Sequence, residues 1–460
     1  MDVAPLLYKR TLSLAPQHVP ASGESSAVEL DRLRQLKILI VADHASAQFG
    51  GEAALPLHYF RVMRKMGMDV LMLTHDRVMA ELQATLGDDA RRVIFIADNW
   101  VHKLCWRISR PIPARLAYFT TGFVSRTLTQ VLQRRVARGL VRERGIDLVL
   151  QPMPVSPREP SLMYGVGAPV MIGPLNGNMQ YPPAFRKAAA WSAAFEGLGR
   201  LVGRGLNLLF PGKRRALAIL VANERTRQAL PAGLKGAVLV IPENGVDLSL
   251  WRRPVEPAGA YQERSVTTFV FMGRLVALKG VDMLLQAFAR AREHGDIALD
   301  VLGDGPSGAE WRQLAGELGI LGTAPGEAGK VFFAGWQTQA QCAARLRTSD
   351  ALVLPSLREC GGAVVLEAMA CGLPVVATAW GGPLDYLDQE TGILVPATSR
   401  DAMVDGLTAA LVQLAGSREL RDRLGRAARR RVESDFDWDK KVIEVLATFD
   451  RLRSSPPSAA

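Results

Sequence analysis

Four side chains in the second half of this chain have types and spacings that could do chemistry on an anionic substrate. Glu359 and Glu367 stand eight positions apart in 357-LRECGGAVVLEAMACGLPVVAT-378, with a double glycine and an apolar run between them. Arg274 and Lys279 stand five apart in 272-MGRLVALKG-280. Charges that brace a helix surface sit three or four residues apart, and the two glutamates do not. A metal site would need further ligands close by. The four cysteines (Cys105, Cys342, Cys360, Cys371) show no CxxC spacing and no histidines cluster beside them, so neither zinc nor a disulfide framework is expected. An Arg and a Lys at a helix entrance, with the helix dipole behind them, make a site for a diphosphate. A single Arg or Lys is by default a solvated surface charge. Here both fall in a strand-to-helix turn, where open α/β sheets bind ligands.

The elements that must position these groups can be read around them. The strand-like 350-DALVLP-355 leads through Ser356 to Glu359, and Gly361 and Gly362 open a helix running to about Ala370. Eight helical residues turn through about 800°, so two helical glutamates would not share a face. With Glu359 in the loop and Glu367 on the helix body, both reach one groove, and amides at Gly362 and Ala363 can hold an anion between them. The bland alternative is one buried structural glutamate and one exposed one. A third turn, 303-GDGPSG-308, matches GxGxxG through Gly303, Gly305 and Gly308. Pro306 lies inside it, its strand is not the first of its domain, and no acidic residue ends the next strand. It reads as a tight turn bringing backbone close to a nucleotide, not as an NAD site.

Along the 460 residues the pattern is doubly wound α/β, strand and helix in alternation,. A loose arm, 1–35, precedes apolar strands at 36–42, 69–74, 93–97, 147–151, 169–173, 217–222 and 237–242, with a helix at 123–143. A linker at 243–264 leads to strands at 266–273, 297–302, 330–333, 350–354 and 374–377, with helices at 281–292 and 308–318. Charged helical patterns follow at 399–415, 417–434 and 437–452. The length exceeds what one core supports. The division expected is a first domain, 36–242, to which the last helix returns, and a second, 265–434.

No apolar run reaches the ~18 residues of a membrane span, and the first 35 residues do not resemble a secretory signal. Free cysteines fit a reducing cytosol. Charge is unevenly placed: residues 1–240 hold 32 Lys and Arg against 17 Asp and Glu, residues 241–460 hold 24 against 28, and residues 100–215 alone hold 18 against 4. Such a field favours an anionic membrane surface or a phosphorylated substrate, unless it is only a solvated basic face. Arg134, Arg135, Arg138, Arg142 and Arg144 share one helical pattern within it. No zinc-finger, RNP-type or helix-turn-helix pattern points to nucleic acid.

The segment 359–367 resembles the E-x7-E motif of retaining, nucleotide-sugar-dependent glycosyltransferases of the GT-B fold, in the large fourth sequence family. GRLVALKG resembles that family's G-R-x(4)-K-G turn and GDGP its next turn. EAMACGLPVVATAWGGPLDYL and ETGILV resemble the segments that follow, IPENGVD the interdomain stretch, and FGGE the glycine loop after the first strand. The likeness runs from residue 36 to 450, stronger in the second half. It implies two Rossmann-like domains across a cleft and transfer of a sugar, with retention and without a metal, from a UDP- or GDP-sugar to a hydroxyl acceptor such as a saccharide or lipid-linked saccharide. Arg274 and Lys279 would hold the diphosphate after Gly273, Glu359 the sugar and Glu367 the ribose. Gly303, Gly305, Gly362 and Ala363 would offer backbone to the donor. Gly50 and Gly51 would let the first loop approach the phosphates. Three positions depart from the pattern. Gly361 replaces an aromatic residue, Asp385 replaces a glutamate, and no histidine follows 147-DLVLQPMPVSP-157. His102 is the substitute candidate near the reacting carbon, and Asn176 lies in a loop assigned to the acceptor side. A sugar-nucleotide epimerase, a phosphorylase and a catalytically silent binding subunit are the alternatives.

Overall fold

The structure, a computed structural model, describes residues 30–48, 51–186, 203, 205–252 and 265–454. Two wholly parallel sheets carry the chain. The first runs β3-β2-β1-β4-β5-β6-β7, from β1 (Lys37–Val41), β2 (Asp69–His75), β3 (Val93–Ile96), β4 (Leu148–Gln151), β5 (Val170–Leu175), β6 (Ala218–Val221) and β7 (Ala237–Val240). The second runs β10-β9-β8-β11-β12-β13, from β8 (Thr267–Met272), β9 (Ile297–Leu302), β10 (Val331–Gly335), β11 (Ala351–Leu354), β12 (Val375–Thr378) and β13 (Gly392–Val395). In each sheet the order reverses beside its first strand, and the crevice at that switch point is where doubly wound folds bind ligands.

The central strands are buried from end to end because helices cover both faces. All six residues of β5, β8 and β9 are buried. Helix α1 (Gly51–Lys65) follows β1, and α2 (Trp100–Ser109), α3 (Ala114–Phe119) and α4 (Thr121–Arg144) follow β3. Helix α4 ends at Gly145, whose φ of 64° suits the left-handed cap position,. In the second domain α5 (Val281–Ala291) follows β8 and α6 (Ala363–Ala370) follows β11.

The chain crosses between the domains twice. Val246 N–H donates to Phe436 O at 2.8 Å where the two crossings meet. Val246 and Trp251 pack into the second domain's core. The last helix, α7 (Trp438–Ser454), packs Trp438, Val442, Val445, Leu446 and Phe449 into the core of the first. The Trp438 ring stacks on His58 with centroids 4.9 Å apart. A Cβ at Gly245 would lie 2.8 Å from that ring, so glycine there permits the docking.

The sequence reading assigns no element to 100–119, where α2 and α3 stand. Their apolar residues face outward, so a search for a buried stripe passes over them. The arginine row on α4 is a correction of another kind. Residues four apart share a helix face, and that face meets the chain at 164–165. Arg134 Nε donates to Tyr164 O at 2.9 Å, with its guanidinium 3.7 Å from the Tyr164 ring centroid. Arg138 Nε donates to Gly165 O at 2.8 Å. These two hold a loop and are not part of a free basic face.

Candidate active site

The turn after β8 begins at Gly273 and ends at Gly280, whose φ of 66° opens α5. A Cβ at Gly280 would lie 2.4 Å from Pro355 O, so the turn sits hard against the end of β11. That approach places Lys279 beside the loop after β11, where its Nζ pairs with Glu359 Oε2. The side chains are 16% and 13% exposed, a pair partly withdrawn from water. Arg274 is exposed and takes no ion pair or hydrogen bond among the described residues. The diphosphate and sugar candidates are thus neighbours in space, 80 positions apart in sequence.

Glu359 is held by its own backbone. Its carbonyl accepts from Gly382 N–H at 2.8 Å. Gly362, with φ 75°, caps α6, and a Cβ there would lie 3.0 Å from Glu359 Cγ. The first amides of α6, from Ala363 on, lack partners within the helix and point along the positive end of its dipole. Glu367 lies one turn further along. Burial pushes its carboxyl up to about 8, and no described group donates to it. Such a carboxyl gains most from a ligand that brings hydroxyl donors.

Gly303 and Gly305 let the two turns meet. A Cβ at Gly303 would lie 2.0 Å from Gly273 O, and one at Gly305 would lie 2.4 Å from Leu275 O. Leu275 N–H donates to Asp304 O at 2.9 Å, and Ser307 N–H to Leu275 O at 3.0 Å. The two turns are joined backbone to backbone, so these glycines set the position of Arg274 and Lys279.

On the other side of the cleft, Gly51 begins α1 with open space where a side chain would project. Gly50 lies outside the described residues. Glu52 beside it is exposed, yet its carboxyl is raised, by partial desolvation first and then by the Glu159 and Glu359 carboxylates, so the start of α1 lies near the loop after β11. Asn176 follows β5 and is buried; its Oδ1 lies 3.4 Å from Asn223 Nδ2. The loop around it meets the second domain: Trp380 Nε1 donates to Gln180 O at 2.8 Å. Asp385 receives Asn223 Nδ2 at 2.9 Å and Arg225 Nη2 at 3.1 Å. That aspartate ties the domains together.

His102 is buried, with both ring nitrogens engaged. Its Nδ1 accepts from Asn99 N–H at 3.2 Å in the cap of α2, and Nε2 lies 3.1 Å from Thr129 Oγ1. Burial lowers its pKa. A capping, neutral histidine accounts for the residue. It converges with His75 and Asp98 in a group of metal-capable side chains, but the Asn99 amide occupies the His102 nitrogen that faces them. Arg77 Nη2 occupies Asp98 at 2.6 Å. The trio braces β2, β3 and α2.

Glu243 was missed by sequence reasoning. It follows β7, is 3% exposed, and stands against Gly361. Its signal was available: a glutamate inside an apolar interdomain stretch, and a glycine at 361 leaving room for it.

Residues 262–431 match the family described as Glycosyl transferases group 1. The D-inositol 3-phosphate glycosyltransferase of Jonesia denitrificans is 33% identical over 221 residues, which cover 45% of this chain and 50% of that protein. The chain spans about half the length of the curated relatives it matches. Among solved structures, Anabaena Alr3699/HepE in complex with UDP superposes with a TM-score of 0.60 at 16% identity, over 90% of this chain and 100% of that one. Sucrose-phosphate synthase from Thermosynechococcus elongatus superposes with a TM-score of 0.59 at 19% identity, over 91% and 100%. Residues 262–431 thus match the group 1 glycosyl transferases, and the two domains form a GT-B fold.

Proposed function

We propose that the chain transfers a glycosyl group from a nucleoside-diphosphate sugar to a hydroxyl acceptor, with retention at the anomeric carbon. The observation that carries this reading is the pairing of Lys279 with Glu359, with Arg274 exposed in the same turn as Lys279 and Glu367 along α6 from Glu359. In the reaction the bond from the anomeric carbon to the β-phosphate oxygen breaks. The acceptor oxygen bonds to the same face of that carbon, and its proton passes to the departing phosphate. Arg274 and Lys279 stabilise the charge growing on the diphosphate, the part a divalent ion plays elsewhere. Glu359 orients the sugar hydroxyls, and Glu367 accepts from the ribose. The amides of Gly362 and Ala363, at the positive end of α6, donate to the diphosphate.

The relative's name specifies a phosphorylated polyol acceptor. A phosphorylated or lipid-linked saccharide at the cytoplasmic membrane face suits the basic first domain here. Calorimetric titration with UDP and GDP, then a donor panel scored for transfer and slow hydrolysis with and without chelator, tests the reading. Lys279→Ala should lower turnover by about one to two orders of magnitude, from the strength of a charge-assisted bond to phosphate. Unchanged turnover in a folded Lys279→Ala protein removes the residue from the mechanism. Loss of turnover with chelator would assign the charge stabilisation to a metal.

A further inference from the structure

Gly361 stands where the family pattern places an aromatic residue, and the space its side chain would take is filled from the interdomain stretch. A Cβ there would lie 2.3 Å from Glu243 Oε1 and 2.4 Å from Asn244 Nδ2. Glu243 Oε1 is fixed: Asn244 Nδ2 lies 3.3 Å from it and 3.0 Å from the Tyr386 hydroxyl. The second oxygen, Oε2, is buried and has no partner among the described residues. Asn176 approaches the same carboxyl as a donor from the end of β5, in a geometry that does not close a hydrogen bond. Its Nδ2 is also buried and without a partner.

An unmet acceptor and an unmet donor side by side, in a region this dry, are costly to keep. One hydroxyl group satisfies both, donating to Glu243 and accepting from Asn176. Burial pushes the Glu243 carboxyl up to about 8; a hydroxyl that donates to Oε2, with the Asn176 and Asn244 amides beside it, favours the ionised form that accepts. The neighbouring Cys360 thiol is raised by burial and then by Glu243, Glu52 and Glu359. That places the carboxyl in the environment of the loop assigned to the sugar.

We propose that Glu243 and Asn176 form a subsite that reads one hydroxyl of the transferred sugar, with Glu243 as a specificity-determining residue made possible by glycine at 361. This rests on the donor-pocket reading above. The test uses the full chain, its accepted donor, and analogues of that donor deoxygenated one position at a time. In the parent, one analogue should lose about tenfold or more in kcat/KM, the cost of leaving buried polar groups unpaired. In Glu243→Ala and Asn176→Ala that gap should shrink toward unity, with the bare nucleoside diphosphate bound as in the parent. Glu243→Gln, which keeps size and hydrogen bonding, should retain part of the gap. Gly361→Ala should displace the carboxyl and give the same loss, with no further loss in the Glu243→Ala background. A gap unchanged in Glu243→Ala overturns the proposal. So does a parallel loss of nucleoside diphosphate binding, which would mark Glu243 as interface support. A parent that binds no nucleoside diphosphate overturns the donor-pocket reading instead.

Discussion

Glu367 combines a cost and a use in one side chain. A buried carboxyl with a pKa of about 8 holds its proton in the folded chain where an unfolded one has lost it,. Between the ordinary carboxyl range and pH 8 the folded state therefore binds more protons, and stability falls as pH rises through that window. Glu367→Gln removes the titration. We expect its melting temperature to match the parent near pH 4 and to exceed it at pH 9, where the stability difference is on the order of a few kcal/mol at most. The same variant should bind nucleoside diphosphate more weakly, since a carboxylate accepts hydroxyl donors better than an amide. Parent affinity should tighten from pH 7 to 8.5, and the variant's should not. Parallel melting curves at pH 4 and 9 would contradict the buried carboxyl. At this scale Glu359, Glu367, Arg274 and Lys279 were legible because their spacing is local to turns. The Glu243–Gly361 contact was not, because it joins positions 118 apart across the domain boundary.

Turns and strands were the most legible elements, since buried parallel strands are short apolar runs and their ends are marked by glycine. What a glycine is for was less legible. Gly303 and Gly51 look alike in sequence, each between a strand and the helix that follows it, yet they meet opposite surroundings. Gly303 has φ 137° and backbone 2.0 Å from where its Cβ would be. Gly51 has nothing within 4 Å. Gly303→Ala must part the two joined turns and move Arg274 and Lys279. It should cost about 1–3 kcal/mol or more in stability and weaken nucleoside diphosphate binding. Gly51→Ala should leave the melting temperature within a degree or two, about the scale of a neutral surface change. Any loss of turnover in Gly51→Ala would then report on approach to the substrate. Equal melting temperatures for the two variants would contradict the joined turns.

For the molecule as a whole, the basic excess and an outward apolar surface coincide on the first domain. Trp100, Trp106 and Phe119 are 74%, 65% and 64% exposed, and Leu104, Ile108 and Leu116 are exposed beside them. On α2, Trp100, Leu104 and Ile108 recur every fourth residue on the outer face, with Lys103 and Arg107 exposed among them,. The buried side of that helix is His102 and Cys105. Single exposed apolar residues need no explanation, but a contiguous patch rimmed by cations does. An anionic bilayer meets both features, the cations reaching headgroups and the tryptophans entering the interface. No helix among the described residues is long and apolar enough to cross a membrane, so the contact would be peripheral. Arg134 and Arg138 are occupied with their loop, which moves the expected contact from the arginine row on α4 to α2 and α3. We expect sedimentation with vesicles containing anionic lipid and little with neutral ones. Salt screens exposed charges beyond ~8–10 Å, so several hundred millimolar salt (a rough figure from the same lengths) should weaken the binding without abolishing it. Trp100→Ala with Trp106→Ala should lower vesicle binding about tenfold or more, from the apolar area withdrawn, and leave transfer to a soluble acceptor intact. Unchanged vesicle binding in the double variant would locate the contact elsewhere. No binding by the parent would make the patch a docking face for another macromolecule.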